Sequence, residues 1–125
     1  MEAASPSPEP PALLCLITFP DEDTAARVAR ALVDERLAAC VSLIGGVRSI
    51  YRWQGAVSDE REVLALAKTT AARLPELQRR VVELHPYDVP EVVALAAWQL
   101  HPPYLAWLRD AVAAPADPQD PGGRR

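Results

Sequence analysis

The sequence predicts an α+β fold in which two helices cover one face of a four-stranded antiparallel sheet. Apolar strand-like runs alternate with two amphipathic helical patterns in the order β-α-β-β-α-β. Two of these strands are separated by a short turn at Gly55, which indicates a hairpin. The chain has 125 residues, of which 50% are hydrophobic and 24% are charged, as expected for one globular domain.

The first strand and the first helix come from the N-terminal part of this pattern. The run ALLCLITF at residues 12–19 is apolar and rich in strand formers. After Pro20, three successive acids favour a helix start, because negative charge complements the positive helix N-terminus. Apolar residues then recur at helical spacing with charged residues between them. We therefore expect an amphipathic helix over about Asp23–Arg36.

The next segment predicts a long hairpin. Residues 38–55 have a strand pattern that a Gly-Gly pair at 45–46 interrupts, which indicates a bulge or a bend. Beyond this pair the pattern alternates, so that Tyr51 and Trp53 fall on one face. Residues 61–69 are apolar and predict the return strand.

Proline positions help to place the remaining elements. Residues 70–85 predict a second helix with Pro75 in or near its first turn, where proline breaks no hydrogen bond. Residues 90–100 predict an apolar fourth strand. Residues 102–112 predict a short third helix, since Pro103 suits the first helical position.

The completed order is ferredoxin-like, βαββαβ, with an extra C-terminal helix. This arrangement explains the cover on one face of the sheet only. The segments VLALA and VVALAAW are apolar on both faces, whereas half-solvated strands alternate. The C-terminal helix can cover part of the second face, and another copy of the chain is the simplest cover for the rest.

The folded domain is expected over residues 13–112. Residues 1–12 and 113–125 are rich in proline and poor in large apolar side chains, so we expect disordered tails. The net charge of −4 and the lack of a basic face argue against nucleic acid as a partner. No apolar run reaches the length of a membrane span, and the N-terminus lacks a secretory pattern. With only two cysteines, these features predict a cytoplasmic protein with reduced thiols.

Six motifs occur in the order and at the spacing of a known family. They are TFPDEDTA (18–25), ERLAACVSLI (35–44), SIYRWQG (49–55), LAKTT (66–70), HPYDVPEVVAL (85–95) and YLAWL (104–108). Across residues 13–112 the chain resembles the CutA family of divalent-cation tolerance proteins. The resemblance implies a cytoplasmic, PII-like homotrimer of ferredoxin-like subunits in which long hairpins pair across subunits. It also implies divalent-metal tolerance and copper binding.

Metal candidates centre on the motif HPYDVPE. Imidazole suits Cu²⁺ or Zn²⁺, which makes His85 a candidate ligand. The nearby carboxylate of Glu91 is a second candidate, and the thiol of Cys40 is a further, soft candidate. The alternative is structural: His85 ends the second helix and bonds a backbone carbonyl, and Cys40 packs as a small apolar residue. A metal site needs about three or four ligands. Binding is therefore expected to be weak or to depend on assembly, with no obligatory cofactor.

The copper site that the resemblance implies is incomplete in this chain. That site draws on a cysteine directly before T-x-P, a histidine directly before HPY and the glutamate of PE. Ile17, Leu84 and Glu91 occupy these positions. Cys15 falls on the same strand face as Ile17, but about 6–7 Å further along the strand.

A cleft between subunits is the predicted binding site. Its candidate residues are Tyr51, Trp53, Lys68, His85, Tyr87, Glu91 and Trp107, with Tyr104 nearby. Aromatic pairs of this kind fill interfaces more often than they bind ligands. Lys68 suits a carboxylate or an anionic ligand. No nucleophile elbow, P-loop or dinucleotide fingerprint occurs, so we expect no enzymatic activity.

Three functions remain open at this point. The first is a non-enzymatic homotrimer that acts in divalent-cation tolerance, with copper as the candidate metal. The second is a PII-like sensor or adaptor that binds a small anion in its intersubunit clefts. The third is a trimeric scaffold whose tails recruit a protein partner.

Overall fold

The computed structural model describes residues 8–114, so residues 1–7 and 115–125 of the predicted tails lie outside it. The elements are β1 (Ala12–Phe19), α1 (Glu22–Asp34), β2 (Cys40–Trp53), β3 (Ala56–Thr69), α2 (Leu74–Leu84), β4 (Val92–Ala97) and α3 (Pro102–Ala111). The strands form one sheet in the order β2-β3-β1-β4, and every pairing is antiparallel. The predicted ferredoxin-like fold with an extra helix is therefore confirmed. None of the helices in the described part is long and apolar enough to cross a membrane.

The first helix begins where the acidic run predicted it. Asp21 caps α1 by accepting a hydrogen bond of 2.8 Å from the backbone N–H of Thr24. This bond satisfies a donor that has no partner within the helix, and it lowers the pKa of the Asp21 carboxyl. The helix ends at Asp34, two residues before the expected end, because Arg36 adopts a left-handed conformation with φ of 58°.

One hydrophobic core fills the space between the sheet and the two longer helices. The buried side chains from the helices are Ala25, Val28, Leu32, Leu77 and Val81. The sheet contributes Cys15, Ile17, Phe19, Val63, Ala65 and Ala67. Burial raises the pKa of the Cys15 thiol to about 11, so this sulfur stays protonated and unreactive in the core.

The β2–β3 hairpin projects beyond the rest of the sheet. Both of its strands have 14 residues, whereas β1 has 8. Because β1 pairs with β3 only over residues 63–69, the part of β3 before residue 63 pairs with β2 alone. The pairing register of β2 shifts between Ile44 and Val47, at the predicted Gly-Gly irregularity. We call residues 47–62 the projecting half of the hairpin.

Two predicted strand boundaries were wrong. β3 begins at Ala56 rather than at residue 61, because pairing with β2 and a bidentate Arg48–Asp59 ion pair outweigh the poor strand propensity of the acidic segment. β4 is shorter than the predicted 90–100. It ends at Ala97, which lies opposite the first residue of its partner strand β1.

The sheet face that α1 and α2 do not cover is apolar. Strand alternation and register place on it the side chains of Leu14, Leu16, Leu64, Leu66, Val93 and Leu95, which we call the open sheet face. α3 packs at one end of this face in a small second core with Ala12 and Ala39. Val93 and Leu95 remain 44% and 46% exposed. The predicted lack of cover is therefore present in the described chain.

Candidate functional site

A groove of about 680 Å³ lies between the projecting half of the hairpin and the segment 86–91 that leads into β4. Aromatic and acidic side chains dominate its wall: Tyr51, Trp53, Tyr87, Glu62, Asp88 and Glu91. Within the described chain, its wall includes no lysine, arginine or histidine. We call this feature the acidic groove.

The hairpin register brings the aromatic and acidic side chains of the groove to one face. Val47 lies opposite Glu62, and Tyr51 lies opposite Ser58. Because strand residues alternate between faces, Tyr51 and Trp53 share a face with Glu60 and Glu62. The Tyr51 hydroxyl donates a hydrogen bond of 3.0 Å to Glu60 Oε2. This bond raises the pKa of the Tyr51 phenol.

Tyr87 holds the buried carboxylate of the groove. Its hydroxyl donates a hydrogen bond of 2.8 Å to Oε2 of Glu62, which is only 7% exposed. A buried charge requires such a partner, because its desolvation is otherwise costly. Burial first, and Glu62 second, raise the pKa of Tyr87 above its ordinary value. Both groove phenols are therefore held neutral beside carboxylates.

His85 packs in the protein beside the groove and does not form part of its wall. It is 7% exposed and stacks on Phe19 with ring centroids 4.7 Å apart. Its Nε2 lies 2.7 Å from the carbonyl oxygen of Thr18, which can only accept, so Nε2 carries the proton. Its Nδ1 accepts a bond of 3.1 Å from the backbone N–H of Tyr87. With both nitrogens engaged, His85 can bind a metal only if the bond from Tyr87 breaks.

Lys68 and Cys40 lie opposite each other on β3 and β2, on the same sheet face as Leu14. The Lys68 ammonium donates a hydrogen bond of 2.6 Å to Ser42 Oγ and lies 3.7 Å from Cys40 Sγ. A metal cation at Cys40 would meet this ammonium at close range, which opposes its binding. This cluster lies on the inner half of the hairpin, away from the acidic groove.

The structure thus brings together only some of the predicted cleft residues. Tyr51, Trp53, Tyr87 and Glu91 line the acidic groove, whereas Lys68 and His85 do not. Trp107 packs against the second core near Tyr104, with ring centroids 5.5 Å apart.

The sequence interpretation missed Glu62. The available signal was a glutamate in the alternation of the apolar strand REVLALA, at the position that shares a face with Leu64 and Leu66. A charge at such a position needs a partner, and the structure supplies Tyr87.

The residues present in one chain do not form a closed metal site. No group of three or more histidine, cysteine, aspartate or glutamate side chains within residues 8–114 is arranged to hold a metal ion. Ile17 and Cys15 are fully buried in the core, and Leu84 packs against it. The carboxylates of the acidic groove come from both sides of it, Glu62 from the hairpin and Asp88 and Glu91 from the segment 86–91, and they are not arranged to hold a metal ion.

The fold and the groove define a ferredoxin-like protein with an acidic, aromatic surface at the end of a long hairpin. A family model described as "CutA1 divalent ion tolerance protein" matches residues 13–111. The chain belongs to this family of divalent-cation tolerance proteins.

Individual relatives agree with the family match. The chain is 54% identical over 95 residues to the divalent-cation tolerance protein CutA of Thermus thermophilus, covering 76% of this chain and 92% of the relative. It is 44% identical over 101 residues to protein CutA of Homo sapiens, covering 81% of this chain and 56% of the relative. The chain therefore spans about half the length of this mammalian relative.

Solved structures show the same fold. The Thermus thermophilus protein superposes with a TM-score of 0.80 at 50% identity, covering 82% of this chain and 99% of that chain. CutA1 from a psychrotrophic Shewanella superposes with a TM-score of 0.81 at 38% identity, covering 85% and 99%. Other names state different compartments, chloroplastic in Arabidopsis thaliana and periplasmic in Archaeoglobus fulgidus. The cytoplasmic location of this chain therefore stays a prediction.

Proposed function

We propose that this chain acts in divalent-cation tolerance as a non-enzymatic homotrimer whose metal binding depends on assembly. One observation carries the proposal: the acidic groove collects carboxylates, yet the described part of one chain lacks a complete set of metal ligands. A neighbouring copy beside the groove would supply the missing ligands. Weak binding to a single chain and tighter binding to the assembly follow from this arrangement.

The open sheet face supports self-association. Its five leucines and Val93 form a contiguous apolar patch, which soluble monomers rarely leave uncovered. Each square ångström of apolar surface that a neighbouring copy covers contributes roughly 25 cal/mol. β2 and β4 are also the two edges of the sheet, so their unpaired backbone groups can accept a strand from another copy.

Glu91 is the metal ligand that we assign first, since it lies in the groove wall next to Asp88. Carboxylates suit hard divalent ions, whereas copper prefers an added imidazole or thiolate. His85 can join only after losing its bond from Tyr87, and Cys40 only if the ammonium of Lys68 moves away. Copper binding to Glu91 and His85 is therefore proposed for the assembled protein and not for the isolated chain.

The non-enzymatic role is part of this proposal, because the description of the matching family names ion tolerance and no reaction. The buried acid of the groove, Glu62, is bonded to a phenol, and neither is paired with a nucleophile in the described contacts.

Native mass spectrometry with and without Cu²⁺ tests this proposal. We expect a three-chain species that takes up copper, and Glu91→Gln should lower the uptake without changing the chain count. Glu76→Gln is the matched control, because Glu76 is an exposed acid in the first turn of α2. A monomeric parent chain, or equal copper uptake by Glu91→Gln and the parent chain, would contradict the proposal.

The volume of the acidic groove also favours the second candidate function, a small-molecule sensor. Its charge, however, opposes the anionic ligand that Lys68 suggested, because Lys68 lies outside the wall and three carboxylates lie in it. An anion would have to overcome this repulsion. If the groove binds a small molecule, its carboxylates favour a cationic ligand over an anionic one.

A further inference from the structure

We infer that the acidic groove binds a small organic cation of the quaternary ammonium class. The inference goes beyond metal tolerance and rests on the proposed function in one respect only: the groove must stay open in the assembled protein. Its basis is the combination of a ligand-sized cavity, aromatic ring faces and carboxylates in one groove.

The groove has the size and lining of a small-molecule site. Its volume of about 680 Å³ lies within the common range for ligand pockets, about 300–1,000 Å³. Tyr51 and Trp53 are 37% and 45% exposed, so aromatic surface remains accessible. Quaternary ammonium groups bind over such rings, because the negative ring face attracts a cation that cannot form hydrogen bonds.

Hydrogen bonds fix the two phenols of the groove and enrich their ring faces. Both hydroxyls donate to carboxylates, Tyr51 to Glu60 and Tyr87 to Glu62. A phenol that donates to a carboxylate carries more electron density on its ring, which strengthens its attraction for a cation. The ring of Tyr87 also lies against His85, with centroids 4.7 Å apart. The aromatic surface is therefore preorganised, which lowers the entropy cost of binding.

The arginines of the projecting hairpin lie away from its aromatic face. The register places the hairpin arginines, Arg48, Arg52 and Arg61, on the face opposite to Tyr51. Arg48 is also paired with Asp59 through two hydrogen bonds of 2.8 and 2.6 Å. The face that carries the aromatic rings therefore keeps a negative field that these arginines do not neutralise at close range.

The same geometry distinguishes an organic cation from a metal ion. A metal ion needs ligands that converge within a short radius, and the described groove does not offer three converging ligands. A diffuse cation needs only a negative field and ring faces around it. Trp53 serves the second requirement and cannot serve the first, which allows the two ligands to be tested separately.

Isothermal titration calorimetry with tetramethylammonium tests the inference on the full chain in its native assembly. We expect saturable binding that Trp53→Leu weakens about tenfold. Trp98→Leu is the matched control, because Trp98 is an exposed tryptophan, at 56%, outside the groove. The neutral probe tert-butanol has a similar shape and should not bind. Circular dichroism and the chain count should match the parent chain for both variants.

The outcomes separate this inference from the proposed function. No binding of tetramethylammonium, equal binding of tert-butanol, or an undiminished affinity in Trp53→Leu would each overturn the organic-cation site. A trimer that takes up copper but ignores tetramethylammonium removes this inference alone. A parent chain that binds tetramethylammonium as a monomer, and shows no copper uptake, removes the proposed function while the cation site stands. Copper uptake by Trp53→Leu at the parent level would show that the two cations use different groups.

Discussion

The two faces of the sheet are apolar in different ways. The helix-covered face carries small and branched residues, such as Ile17 and Ala67, that are fully buried. The open sheet face carries mainly leucine, and Val93 and Leu95 on it are almost half exposed. The first face completes its packing within one chain, whereas the second leaves apolar side chains exposed in the described chain. We therefore expect the stability of the single chain to depend mainly on the covered face, and the proposed association to depend on the open sheet face.

Phe19→Ala should give the largest change in the free energy of unfolding. Phe19 is 1% exposed and supports the ring of His85, so its truncation leaves a cavity in the covered core. We expect a loss of about 3–5 kcal/mol, measured by urea denaturation. A loss below about 1 kcal/mol would mean that the covered face does not carry the stability assigned to it.

Leu95→Glu should weaken association through the open sheet face and leave the stability of the single chain almost unchanged. Leu95 lies on the open sheet face at 46% exposure, so a charge there costs little in one chain but disfavours burial against another. We expect the assembly to dissociate at concentrations at least about tenfold higher than for the parent chain, by analytical ultracentrifugation. Val33→Glu, on an exposed part of α1, is the control. Unchanged sedimentation of Leu95→Glu would exclude this face as the interface.

Tyr87→Phe tests whether the buried hydrogen bond from Tyr87 to Glu62 stabilises the groove. Loss of the hydroxyl leaves the Glu62 carboxylate buried with one partner fewer, which should cost about 1–3 kcal/mol of unfolding free energy. Tyr51→Phe removes an exposed bond to Glu60 and should change the same quantity by less than about 0.5 kcal/mol. Equal costs for the two variants would show that burial of Glu62 does not matter.

Thiol labelling at pH 8 compares the two sheet faces without a mutation, because Cys15 lies on the covered face and Cys40 on the other. The raised pKa of Cys15, about 11, leaves roughly one thiolate in a thousand molecules at this pH, and the core also shields the sulfur. Cys40 lies on the uncovered side of β2 and is only partly buried in one chain. We expect Cys15 to react only on unfolding, and Cys40 to react faster as dilution dissociates the assembly. Rapid labelling of Cys15 in the folded chain would contradict the description of the covered core.

Local sequence patterns predicted the elements of the fold but not their lengths. The spacing of Val28 and Leu32 identifies α1, because apolar residues four positions apart lie on the same face of a helix and are buried together. The outer part of β3 was missed because Asp59 and Glu60 have low strand propensity, and only their pairing partners on β2 make them a strand. Pairing between distant segments is not encoded in either segment alone.

Some of the predicted cleft residues lie apart in the structure, because their positions also depend on contacts between distant segments. Alternation correctly relates Tyr51 to Trp53, since both belong to one strand. Lys68 was grouped with them by chemical type, yet it lies six residues along β3 from Glu62, or about 20 Å. His85 was chosen for its lone pairs, and the structure engages both nitrogens with backbone groups of Thr18 and Tyr87. Residue type alone does not indicate whether the ring nitrogens of a histidine are already hydrogen-bonded.

The extra residue in β2 near Gly46 decides which side chains meet the groove. Gly46 has φ of 72°, and the pairing advances by three residues on β2, from Ile44 to Val47, while β3 advances by two. Without this step, the even-numbered residues of β2 would continue on the groove face, so that Arg48 would lie opposite Glu60, and Arg52 would share the face of Glu62. The backbone irregularity at Gly46 therefore determines whether acidic or basic side chains lie on the groove face, although Gly46 is not part of the groove wall.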